Sequence, residues 1–282
     1  MILPTLLSPE RQVQLDREVG AIRNRIFDQI KALLLRIPDP ELQKLAYDTA
    51  FRANQRTPKR QERLGLAICV LTDTVYSAHD RDPVRRDLLM QLALAMQEYY
   101  DLLDDWIDCD LAPGHETEVV LVTQLLMPVM VQVLAELGSR AADYWSRRAL
   151  DLAGSVAQEK LREKSLTAYL DALSAQAWYY GCATGLAALV GGADAPGVAL
   201  GESVGRHAYI YGQLLLDLHQ RDRLENWNIL HFVGRDQAID RIATERDELV
   251  CAARRLPPPQ AALLEGFHSL DLDSLRTGHL CG

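Results

Sequence analysis

Four carboxylates crowd one short stretch of the chain: Asp101, Asp104, Asp105 and Asp108 stand at i, i+3, i+4 and i+7. On an α-helix these positions share one face, within roughly 100° of arc. Leu102, Leu103, Trp106 and Ile107 fill the rest of the turn. Two carboxylates about 4 Å apart repel by roughly 4 kcal/mol in surroundings of intermediate polarity. No Lys or Arg stands at helical spacing to relieve them. A solvated acidic face is one account of this stripe. The apolar run Leu92-Ala-Leu-Ala-Met96 just upstream favours another, in which the stripe ends a helix packed inside a bundle. Bound divalent cations then turn repulsion into attraction. An all-oxygen ligand set predicts Mg²⁺, which keeps several waters and bridges to phosphate oxygens.

The elements that must carry this stripe are helices. Leu, Ala, Gln, Glu and Arg dominate, β-branched residues are sparse, and 17 Gly and 12 Pro leave room for long helical runs. A 3.6-residue apolar period predicts helices at 9–36, 40–54, 60–79, 83–110, 117–137, 138–163, 166–191, 197–223, 235–255 and 258–268. Pro38 and Pro40 separate the first two, Asp82-Pro83 opens the fourth, and Ala112-Pro-Gly114 closes it. With 282 residues, 48% of them hydrophobic, and no repeat or linker, the expectation is one all-α domain over 1–282, a bundle around a central cavity.

A formal charge of −9 with no basic stretch argues against nucleic acid, and it means that any anionic substrate needs metal ions to screen it. Cys69, Cys109, Cys182, Cys251 and Cys281 are odd in number and scattered, which indicates neither a zinc site nor a disulfide framework and points to a reducing cytoplasm. The first ten residues lack the pattern of a signal peptide, and no run of 18 apolar residues occurs, so no membrane insertion is expected.

Asp104-Asp105-Trp-Ile-Asp108 is a DDxxD motif, and its setting resembles the first aspartate-rich motif of the trans-isoprenyl diphosphate synthase superfamily. The resemblance extends over most of the chain. Residues 169–192 are similar to the helix of that superfamily that ends in a Gly-rich stretch, and 205–222 to the helix with the second aspartate-rich motif, Gln213 standing on its glutamine and Asp217 on its second aspartate. The resemblance implies the isoprenoid synthase fold, a homodimer and Mg²⁺ held by Asp104, Asp105 and Asp108 against a prenyl diphosphate.

The departures redirect the expected activity. Leu216 and Gln220 replace two aspartates of the second motif, and Gln176-Ala177 replaces a lysine-threonine pair. The arginines that follow the first motif are missing from Asp110-Leu-Ala-Pro-Gly-His-Glu116, and a GKRxRP segment survives only as Pro58-Lys-Arg-Gln-Glu-Arg63. In the superfamily these basic residues hold isopentenyl diphosphate. Asp217, Arg221 and Glu225 stand at i, i+4 and i+8, similar to the second metal motif of class I terpene synthases except for the arginine. The expected enzyme is therefore a terpene synthase that ionises a C15–C20 prenyl diphosphate and ends in a hydrocarbon or alcohol. The alternative is a prenyltransferase, elongating or acting on another acceptor. A non-catalytic subunit is a third reading, against which the intact first motif counts. Asp104, Asp105 and Arg221 are expected to be catalytic. Asp104, Asp105, Asp108, Asp217 and Glu225 are expected at metal, and Gln176, Gln213, Tyr100, Trp178, Tyr179 and Arg221 at substrate. Tyr99, Tyr180, Tyr209 and Tyr211 are further candidates to line the cavity.

Overall fold

The computed structural model describes residues 5–52, 66–107, 111, 113–161, 163–219 and 227–277, without the side chains of 154–161. Among them there is no strand. Helix α1 (Pro9–Leu34) starts where Ser8 Oγ accepts from the Arg11 amide and proline takes the first helical position, whose N–H would be unsatisfied anyway. Asp39 caps α2 (Pro40–Ala46) in the same way, and α2 runs on into one π-helical turn, Tyr47–Phe51. Then come α3 (Leu66–Ser77), α4 (Pro83–Ile107), α5 (Glu116–Leu137) and α6 (Ser139–Leu161). Ser165 caps α7 (Leu166–Gln176), and α8 (Trp178–Val190) follows after the single residue Ala177. Helix α9 (Ala195–His219), a 3₁₀ turn (Ile229–His231), α10 (Arg235–Ala253), α11 (Pro258–Phe267) and α12 (Leu272–Arg276) complete the order.

Two cores hold these elements. The larger joins α1, α3, α4, α5 and α8 through residues such as Ile26, Tyr76, Leu94, Met96, Leu126 and Leu186. The smaller lies between α7, α9, α10 and α12 and contains Tyr169, Leu214, Leu218, Ile229, Ile242 and Leu275. Helices α8 and α9 touch backbone to backbone. A β-carbon at Gly205 would overlap Thr184 Oγ1 and the Tyr180 carbonyl, and one at Gly201 would stand 2.8 Å from the Thr184 carbonyl oxygen. Asp73, 5% exposed, ties α1, α3 and α4 together by accepting from Arg25 at 2.9 Å and from two nitrogens of Arg86.

The structure corrects three expectations. The helix expected over 166–191 is two helices that change direction at Ala177. The 3₁₀ turn and α12 were not foreseen; α12 is held by Asp271, whose carboxylate accepts from the amides of Asp273 and Ser274. Helix α5 is long and apolar enough to cross a membrane by length and composition, with a mean hydropathy of 1.8, although no run of 18 apolar residues occurs. It packs against α4 and α6, and 44% of its most apolar window is buried.

His268 shows what burial does to a base. Its ring lies against Tyr211 and Phe267, Nε2 has no hydrogen-bond partner, and burial lowers its pKa to about 4 from the ordinary 6.5. The unfolded chain therefore binds the extra proton between these values, and stability rises with pH across that window. Full stability is present above about 6.5, and about 3 kcal/mol is lost on descent through about 4. His268→Leu is expected to flatten this part of the profile. Urea melts of both proteins from pH 7 to pH 4 check it, and parallel curves would count against the buried neutral imidazole.

Candidate active site

The last turns of α4 present the carboxylate stripe in two directions. Asp101 is half-buried, Asp104 is exposed, and Asp105 turns inward with 6% of its surface exposed. The helical period explains the split, because Asp105 follows the buried Glu98 and Leu102 on the core side. Gln97 Nε2 donates to Asp101 Oδ2 at 2.7 Å and so fixes that carboxylate. Glu98, 3% exposed, adds a further carboxyl one turn deeper. Asp108, Arg221 and Glu225, all expected at the site, lie outside the described residues.

A nest of five tyrosines adjoins the stripe. Tyr99 and Tyr100 meet edge to face at 5.2 Å between ring centroids, Tyr100 meets Tyr179 at 5.4 Å, and Tyr180 meets Tyr179 and Tyr209 at 5.3 Å each. One contact chain thus links α4, α8 and α9. Burial, together with the nearby negative charges of Asp101 and Glu98, raises the Tyr179 pKa well above its ordinary value. Its hydroxyl is buried with no hydrogen-bond partner. Burial also raises the Tyr100 pKa. These phenols keep their protons at neutral pH and offer π faces rather than nucleophilic oxygens.

Other expected site residues are placed differently. At Trp178, Arg148 and Arg206 stand over the ring, 3.9 and 4.4 Å from the centroid. Arg148 also donates to Glu202 at 2.6 Å. Tyr211 points away from the nest, into the smaller core, where its hydroxyl donates to the His268 carbonyl. Gln176 ends α7, directly before the change of direction. Gln213 donates to Asp217, which is buried on α9 among Tyr169, Asn228 and Ile229. Sequence reasoning passed over Gln97, Glu98, Tyr169, Arg148, Arg206 and Asn228. Gln97 and Glu98 were within reach, since they continue the face of Asp101 and Asp105 by one and two turns.

Among the described residues no three His, Cys, Asp or Glu side chains gather in a metal-holding group. The donors at the end of α4 still fit Mg²⁺ chemistry. All are hard oxygens, and a magnesium site commonly takes one or two carboxylates and completes its shell with substrate phosphates and water. An open groove of about 320 Å³ lies at the same end of the α4–α5 hairpin, where Glu41, Asp48 and Glu118 face Lys44 and His115.

The chain has the fold of the trans-isoprenyl diphosphate synthases. It is similar to a decaprenyl diphosphate synthase from Rhodobacter capsulatus, with a TM-score of 0.74 and 12% identity over 91% of this chain and 97% of that one. A geranyltranstransferase from Methanosarcina mazei gives 0.72 and 14%, over 89% of this chain and 97% of the other. A polyprenyl synthase from Caulobacter crescentus, complexed with calcium and isoprenyl diphosphate, gives 0.67 and 17%, over 93% and 96%. No protein-family model matches the sequence, and no curated protein matches it either.

Proposed function

We propose that this protein is an enzyme that ionises an allylic prenyl diphosphate of the C15–C20 class and transfers the prenyl group to an acceptor. The observation that carries the reading is the junction of the Asp101, Asp104 and Asp105 turns with the tyrosine nest, on a fold shared with prenyl synthases. Mg²⁺ held by Asp104, Asp105 and Asp108 of the DDxxD motif would neutralise the diphosphate and stabilise it as a leaving group. The calcium and isoprenyl diphosphate of the Caulobacter synthase support both the metal and the substrate class. Tyr100, Tyr179, Tyr180 and Tyr209 then face an allylic cation with π electrons, which attract cations without capturing them. Arg221 is proposed to contact the diphosphate, and Glu225 to assist with metal.

The transferases of the same fold favour prenyl transfer over the terpene synthase that the sequence suggested. Elongation with isopentenyl diphosphate is disfavoured by Gln176-Ala177 and by the missing arginines after the first motif. Those same departures keep a second reading open, in which water capture or proton loss ends the reaction. Incubation with labelled C10, C15 and C20 diphosphates, with and without isopentenyl diphosphate, separates elongation from both, and addition of candidate acceptors then separates prenyl transfer from water capture or proton loss. The expected result is diphosphate release without a product five carbons longer. Such a product, formed as fast as the allylic substrate disappears, would restore chain elongation.

The outer face of α5 supports a homodimer. Val120, Leu121 and Val131 are 41%, 48% and 52% exposed, apolar side chains that one helix leaves to solvent. Light scattering at micromolar concentration is expected to give twice the mass of the chain, and a monomer would refute it. The unpaired Cys69, Cys182 and Cys251 fit a reducing cytoplasm.

A further inference from the structure

Asp217 stands where the resemblance calls for a metal ligand, yet its surroundings are those of a structural anchor. It is 2% exposed. Its Oδ2 accepts from the Tyr169 hydroxyl at 2.6 Å and from the Ile229 amide at 2.9 Å. Oδ1 accepts from Gln213 Nε2 at 3.3 Å, and the Asp217 carbonyl accepts from Asn228 Nδ2 at 3.0 Å. A carboxylate offers about four lone-pair directions, so three are spent inside the protein.

The donors come from three places in the chain. Tyr169 belongs to α7, Gln213 to α9 itself, and Asn228 and Ile229 to the segment that enters the 3₁₀ turn. That segment is closed further by Asn228 Oδ1, which accepts from the Leu230 amide at 2.9 Å, and by the Tyr169 ring, which packs against Trp227 and Phe232. Burial raises the Asp217 pKa, while these hydrogen bonds oppose the rise. The direction left over belongs to Oδ1, beside Gln213, and with the residue 2% exposed a hydrated metal ion there would have to bring solvent into the smaller core.

We propose that Asp217 is a positioning residue rather than a metal ligand: it pins residues 227–232 to α7 and α9. The metal role that the resemblance implies for Asp217 rests on the proposed diphosphate chemistry, whereas the anchoring does not.

The test separates the two. Hydrogen exchange of the Ile229–Phe232 amides is measured without metal in wild type, Asp217→Asn, Tyr169→Phe and Asp104→Asn. Mn²⁺ binding in the presence of inorganic diphosphate is measured by calorimetry on the same proteins. The expected result is exchange faster by about tenfold or more in Asp217→Asn and Tyr169→Phe, with Mn²⁺ affinity within about threefold of wild type. Asp104→Asn is expected to do the reverse. Unchanged exchange in Asp217→Asn would overturn the proposal. So would a loss of Mn²⁺ affinity in Asp217→Asn matching that of Asp104→Asn, with Tyr169→Phe unaffected. If no protein binds Mn²⁺ with diphosphate, the functional reading fails, while faster exchange still supports the anchor.

Discussion

Asp104→Asn and Asp105→Asn are each expected to lower turnover by about 10²–10³-fold, the loss typical of removing one group that stabilises developing charge. The reason lies in the crowding at the end of α4. Asp101, Asp104 and Asp105 share two helical turns with the buried Glu98. Like charges at this spacing repel one another, and a bound cation would relieve them. Removing one charge should leave helix content unchanged and raise the metal-free melting temperature slightly. Asp104 and Asp105 test different things, since Asp104 is exposed and Asp105 is turned inward. Diphosphate release at saturating Mg²⁺, with thermal melts in chelator, measures both effects. Near-normal rates in both variants would remove the metal site.

Gly205→Val is expected to cost about 3 kcal/mol, at the upper end of core overpacking, and to lower the melting temperature by about 5–10 °C. The neighbours of the new β-carbon include backbone, the Tyr180 carbonyl, which cannot swing aside as a flexible side chain would. Relief requires α8 and α9 to separate, which would also pull Tyr180 and Tyr209 apart in the nest. Activity should therefore fall along with stability. Gly212 provides the contrast on the same helix. Nothing lies within 4 Å of a β-carbon there, so Gly212→Ala should gain roughly 0.5–1 kcal/mol from the lower backbone entropy of alanine. Calorimetric melts of the two variants decide the matter. Equal melting points would mean that α8 and α9 cross with room to spare at Gly205.

The sequence exposed what is local and periodic. The start of α4 at Asp82-Pro83, the bounds of α5 and the carboxylate stripe all follow from spacing along one helix. The change of direction at Ala177 was hidden because Gln176, Ala177 and Trp178 are all acceptable inside a helix, and the apolar period runs through them. The role of Asp217 was hidden for another reason. Its partners lie 48 and 12 residues away, and no spacing rule joins Tyr169 to Ile229. The two arginines over the Trp178 ring were hidden in the same way, since they come from α6 and α9.

The cysteines turn the core into its own reporter. Cys182 lies wholly buried on α8, and burial pushes its thiol up to about 12; the Cys69 thiol on α3 is raised by the same cause. Alkylating reagents need a thiolate that they can reach, so both sulfurs are silent in the closed bundle. Cys251 on α10 is exposed. In a protein whose Cys109, Cys251 and Cys281 are serine, every alkylation event therefore records an opening of α3 or α8. The rate becomes a clock for helix breathing, and a prenyl diphosphate that settles among the tyrosines should slow it.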